Sequence, residues 1–230
     1  MRNFVTSLLA AIALGVLAQG CAQPIPVKHD ALDKEYITRV RLQNDGEKIY
    51  SSNYTGGITG YPPGSKAQIT MFSSIRVDLR INNIPHQMFP VGGDFNTGMI
   101  DEFVKKYFVE TPAELGLSDE LEPLAATGDK DNGLHEGEKL DPLDFRFGLM
   151  PRGDRTSIAA GSASIGMTKA QVFMALGPPP EINFGENTLS LPMDTILEAN
   201  RWVYFSNWIT PWWFQRVYVF DGSTLIQVEQ

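Results

Sequence analysis

The sequence predicts an α+β fold in two small domains, and three observations carry that expectation. Between Tyr36 and Ile81, apolar and polar residues alternate in short runs separated by turn residues, the pattern of an antiparallel sheet with one wetted face. Between Thr97 and Val109 the spacing of apolar residues changes to that of an amphipathic helix. After an acidic stretch without any pattern, a helix with its own start and stop signals near Thr168 leads into aromatic-rich strands at the C-terminus.

The first residues bear on where the chain works. Arg2 supplies a short positive start, and Phe4 to Ala18 run uncharged and apolar over the length of a signal-peptide core, too short to span a membrane. Leu17-Ala18-Gln19-Gly20-Cys21 closes that run with a small residue directly before the only cysteine of the chain. The motif resembles the lipobox of bacterial lipoproteins, whose chains are cut before the cysteine and acylated on it. That resemblance implies a signal peptide over 1–20, a lipid on Cys21, and, because Ala22 is not aspartate, the periplasmic face of the outer membrane. A lone thiol leaves no disulfide and no cysteine metal cluster to compete with this reading, and several acyl chains on one residue suffice for stable attachment.

Residues 21–35 are polar with two prolines, a tether. The N-terminal β-rich domain is expected over 36–117. YITRVRLQ reads as a strand, and Asn44-Asp45-Gly46 as the turn of a hairpin into KIYSSNY. AQITMFS and IRVDLRI alternate again, with Val77, Leu79 and Ile81 facing one way and Arg76, Asp78 and Arg80 the other. In TGMIDEFVKKYFV, Met99, Ile100, Phe103, Val104, Tyr107 and Phe108 form one face, and Asp101, Glu102, Lys105 and Lys106 the polar face.

The segment 118–141 holds eight acids, two bases and four leucines, so it cannot build a core and reads as a linker or long surface loop. The whole chain carries a formal charge of -8 over 230 residues. Removing 1–20 leaves -9, of which this segment contributes -6. The acidity therefore belongs to one loop, and nothing clusters Lys and Arg as nucleic-acid binding requires. Asp129-Lys130-Asp131-Asn132-Gly133 begins like a calcium loop, but the register fails, because Leu134 and Leu140 stand where the glycine and the bidentate glutamate belong.

The C-terminal domain is expected over 142–230. Thr168 sits at an N-cap position with Gln171 three residues on, a capping box; Met167 and Val172 occupy the staple positions. Val172, Phe173 and Leu176 make one apolar side, Gly177 suits a left-handed C-terminus, and Pro178 blocks continuation. At two and a half turns the helix needs something to dock on, and the aromatic C-terminus is the expected partner. Two strands pair across a loop at Ile209 to Trp213, and Asp221-Gly222-Ser223 turns into a last strand from Thr224 to Val228.

Gly166-Met167-Thr168, Gln171-Val172, Leu176-Gly177-Pro178, Trp202-x-Tyr204 and Val217-x-Val219-Phe220-Asp221-Gly222 resemble the SmpA/OmlA family. Its members are outer-membrane lipoproteins that include the small accessory subunit of the β-barrel assembly machine, and their fold is shared with β-lactamase-inhibitor-like proteins. The likeness covers Gly166 to Gln230, about a third of the mature chain. It implies a helix with a three-stranded antiparallel meander, and a protein-binding scaffold or assembly accessory of an envelope complex, with envelope or outer-membrane proteins as partners. An inhibitor-like or ligand-binding module using the aromatic sheet face is the alternative reading, and an envelope enzyme the less favoured one.

Catalytic patterns are lacking. His29, His86 and His135 show no zinc spacing, there is no G-x-S-x-G elbow, and GSASIGM lacks the lysine of a phosphate loop. No enzyme activity, metal or small-molecule cofactor is expected. The candidate recognition residues are Trp208, Trp212 and Trp213 with Tyr204 and Tyr218. Trp is enriched at interface hot spots and at membrane headgroups, and it also completes cores, so three readings of the Trp loop stand open.

Overall fold

The computed structural model describes residues 26–46, 48–50, 59–89, 97–117, 140–183, 185–205 and 215–229. The expected signal peptide with Cys21, nearly all of the acidic segment with its calcium-like stretch, and the expected Trp loop with Trp208, Trp212 and Trp213 lie outside the described residues. Among these residues the fold is α+β, with two sheets and four α-helices. No helix among them is long and apolar enough to cross a membrane.

The first sheet contains β1 (Glu35–Thr38), β2 (Leu42–Asp45), β3 (Lys48–Tyr50), β4 (Gly60–Tyr61), β5 (Lys66–Phe72), β6 (Val77–Ile81), β7 (Ile84–Phe89) and β8 (Phe108–Val109). Their order is β4-β2-β3-β7-β6-β5-β1-β8. The β2–β3 hairpin forms as expected, with Gly46 at φ 64° in its turn. Val77, Leu79 and Ile81 face the core from β6, as their alternation predicts. The next strand, β7, was not expected; Asn82 and Asn83 both take positive φ, 49° and 68°, and Asn tolerates the left-handed region that a two-residue hairpin needs. β3 and β7 run parallel, so the sheet is mixed where a purely antiparallel one was expected.

YITRVRLQ is not one strand. The Arg39 amide donates to Tyr107 O and the Arg41 amide to Met174 O, which takes both out of the sheet ladder. The consequence is global. β1 and β2 stand five strand spacings apart in the sheet order, about 24 Å if it were flat. Leu42 follows Thr38 by four residues, a reach of at most about 14 Å, so the sheet has to curl.

The first helix, α1 (Ile100–Tyr107), buries Ile100, Phe103 and Tyr107. It ends one residue before Phe108, which turns extended and joins Val109 in β8 beside β1. Lys106, expected on the polar face, is 2% exposed. α2 (Arg152–Ala159) and α4 (Met193–Glu198) were not expected; each begins directly after a proline.

The second sheet adds β9 (Glu181–Ile182) and β10 (Glu186–Asn187) to β11 (Arg201–Phe205), β12 (Gln215–Asp221) and β13 (Thr224–Glu229). Its order is β10-β9-β11-β12-β13, all antiparallel. The expected three-stranded meander is present within a five-stranded sheet, because part of the long segment after the capped helix supplies two short strands.

The capped helix is α3 (Lys169–Leu176). Its capping box closes in both directions, Gln171 N to Thr168 Oγ1 at 3.3 Å and Thr168 N to Gln171 Oε1 at 2.8 Å. Gly177 ends it at φ 78°, with its amide on Phe173 O. The entry is stitched to β13, since Gly166 N bonds Leu225 O, Leu225 N bonds Met167 O, and Lys169 N bonds Ser223 O. One apolar side was expected for this helix, yet every residue of it except Gln171 is buried. Phe173 meets Trp202 edge-on from one direction, and β2's approach meets Met174 from another. A single buried cluster therefore runs from Ala31 through α3 to Leu225. The two small domains expected from sequence share one hydrophobic core, with α3 at its centre.

Candidate functional site

Of the sequence-derived recognition residues, Cys21, Trp208, Trp212 and Trp213 lie outside the described residues. The covalent path fixes one fact about the Trp segment: its flanking residues Phe205 and Gln215 are paired partners in β11 and β12. Tyr204 and Tyr218 are not surface residues. Tyr204 is fully buried and its hydroxyl donates to Gly177 O at 2.8 Å; the two tyrosine rings stand 5.4 Å apart, edge-on. Burial holds the Tyr204 hydroxyl well above the ordinary tyrosine range. Trp202 beside them donates Nε1 to Ile196 O at 3.0 Å and packs on Phe220 at 4.7 Å. The aromatic face expected to recognise a partner is thus covered by α3 and α4. Aromatic rings carry large apolar area, and here that area closes the core.

Three buried cations were missed by sequence reading because each sits among alternating or helical residues as a surface charge would. Lys106 donates Nζ to Thr188 O at 2.8 Å and Leu189 O at 3.0 Å, beside a cavity of about 20 Å³ walled by Pro178, Pro179 and Pro180. Burial lowers its pKa to about 8, against a smaller opposing effect of Glu102. Lys169 donates to Leu197 O at 2.8 Å and to Asn200 Oδ1 at 3.1 Å, over the Phe220 ring; burial lowers its pKa as well. Together they hold both ends of the 188–200 segment against α1 and α3. Arg41 reaches Ala159 O at 2.9 Å and Thr59 O at 3.2 Å. A Cβ on Gly161, at φ 69°, would stand 2.8 Å from the Arg41 guanidinium, so glycine is required there. These are bridges between elements that carbonyl oxygens complete.

The histidines are apart. His29 Nε2 lies 3.4 Å from Asp101 Oδ1, and His86 Nε2 lies 2.8 Å from the Tyr61 hydroxyl, within β7. Among the described residues no three His, Cys, Asp or Glu side chains stand together as a metal would need.

A groove of about 270 Å³ lies on the outer face of the first sheet, at the Lys66 end of β5. Its floor follows from register. Glu35, Gln68 and Arg80 are Cα partners across β1, β5 and β6, so the three side chains form one transverse row. Ile37 and Lys66 form the next row on the same face. The rows between them, Tyr36, Ala67 and Ile81, point into the core. Ile37 is sealed by Val109 and Leu115, and the short 3₁₀ turn Pro112–Leu115 with Glu110 makes the wall. Glu35, Lys66, Arg80 and Glu110 are all exposed. None of the four is within ion-pair distance of an opposite charge among the described residues. Two carboxylates and two cations thus share a groove without neutralising one another.

No family model, no curated protein and no solved structure matches the chain.

Proposed function

We propose that the chain is an outer-membrane lipoprotein, held by lipid on Cys21 and facing the periplasm, that binds other envelope proteins as a scaffold or assembly accessory and carries out no reaction of its own. The observation that carries this is the placement of the only cysteine directly after Leu17-Ala18-Gln19-Gly20 and a short apolar run. The likeness of Gly166 to Gln230 to SmpA/OmlA proteins points to the same compartment, and assembly of outer-membrane proteins is the process it favours.

The geometry of the body supports presentation of a partner site away from the membrane. The tether enters at Val27, whose amide donates to Phe72 O at 2.8 Å. The chain then runs back along β5 to pair Glu35 with Gln68. The groove therefore lies at the far end of a seven-residue strand from the tether, a separation of about 20 Å. The inhibitor-like reading depends on the aromatic sheet face, which the core occupies. Fractionation of a Cys21→Ser chain tests the anchoring: it should leave the outer membrane for the soluble periplasm, and retention in the membrane fraction would refute the proposal.

A further inference from the structure

From the groove we infer that the first sheet binds an extended peptide segment carrying an acidic and a basic side chain three residues apart. The inference rests on the binding role proposed above and specifies what the bound protein must present.

Charge and spacing carry it. Across the transverse row, Arg80 and Glu35 are held apart by Gln68, two strand spacings or about 10 Å. Lys66 lies two residues before Gln68 on the central strand, diagonal to both ends of the row, and Glu110 lies on the wall. A ligand of one sign would satisfy one pair and be repelled by the other. An occupant with both signs meets cations with its carboxylate and carboxylates with its cation. Gln68, tied by its amide to Asp33 O at 3.2 Å, lies between them, and the two charges are not within ion-pair distance of each other.

The shape selects an extended chain. The groove crosses the strands rather than following an edge, so ladder hydrogen bonds are not what it offers; side-chain contacts are. In a polyproline II conformation residues i and i+3 fall on the same side about 9 Å apart, which matches the row. A volume of about 270 Å³ accommodates a few residues of such a segment.

The test uses the full mature chain, with backbone amide resonances followed during titration with acetyl-Asp-Pro-Pro-Lys-amide. Shifts should concentrate on 35–37, 66–68 and 80, weaken with salt as exposed charge contacts do, and be absent with acetyl-Asn-Pro-Pro-Gln-amide. Lys66→Glu with Arg80→Glu should weaken binding about tenfold, since two charge-assisted contacts turn repulsive, while the remaining spectrum stays that of the folded protein. Equal shifts from the neutral peptide, shifts centred elsewhere, or an unchanged affinity in the double variant would each overturn the inference. Membrane fractionation of Cys21→Ser is independent of this titration, so failure of the anchoring proposal and failure of the groove are separately visible.

Discussion

Trp202, Tyr204, Tyr218 and Phe220 line one face of the second sheet and are sealed beneath α3 and α4, whereas Glu35, Gln68 and Arg80 cross the outer face of the first sheet in the open. The first set holds the protein together and the second is available to something else. Aromatic residues are enriched both in cores and at interfaces, so their presence does not discriminate. Register does: it sets a row of opposite charges on one face with no ion-pair partner among the described residues, and the proposed role of that row is to meet an external one.

Substitutions should separate the two regions by magnitude. Trp202→Ala removes a fully buried ring together with the Nε1 bond to Ile196 O, and should cost about 3–5 kcal/mol in denaturant unfolding. Because one cluster joins both sheets, fluorescence and far-ultraviolet dichroism should report one coincident transition; two separate transitions would restore independent domains.

Lys106→Ala leaves Thr188 O and Leu189 O without their donor, and should cost about 1–3 kcal/mol. The wild-type lysine also predicts a pH dependence. Its folded pKa, about 8, lies below the ordinary lysine value of 10.5, so between these pH values the unfolded chain binds more protons than the folded one. Stability contributed by this group therefore rises from about pH 8 upward and is flat below it. The neutral amine keeps two N–H donors for its two carbonyls. Thermal melts at pH 7 and pH 9.5 should show wild type gaining relative to Lys106→Met; an equal response would remove the titration. Above pH 10 the raised pKa of Tyr204 acts in the opposite sense, because the unfolded tyrosine ionises first.

Thr168→Ala should cost about 1 kcal/mol, the usual value of an N-cap, measured as a shift in denaturant midpoint. At the small end, Lys66→Glu and Arg80→Glu should change stability by less than about 0.5 kcal/mol. Trp212→Ala with Trp213→Ala should likewise leave the melting transition intact while weakening capture of an envelope partner; loss of the transition would assign both rings to the core.

Local signals were the legible part. The capping box at Thr168 and Gln171, the turn at Gly46 and the alternation of β6 each depend on neighbours within a few residues, and each stands in the structure. What was not legible depends on distant chain. Arg39 and Arg41 look like strand positions until α1 and α3 offer carbonyls to their amides, and that exchange decides how the whole sheet curls. Lys106 looks like a surface charge until residues 188 and 189 arrive 82 and 83 positions later. The groove escaped for the same reason, since Glu35, Lys66, Arg80 and Glu110 are ordinary surface charges in sequence and become a site only through strand register.

The proposed hold of a partner's segment in the groove can be tested directly in the cell. With a photo-crosslinking residue replacing Gln68 in the full-length chain, illumination should join the protein to a discrete envelope protein, and the adduct should disappear when Lys66→Glu and Arg80→Glu are added. An adduct unaffected by that charge reversal, or none where the same residue at exposed Ile165 gives one, would contradict it.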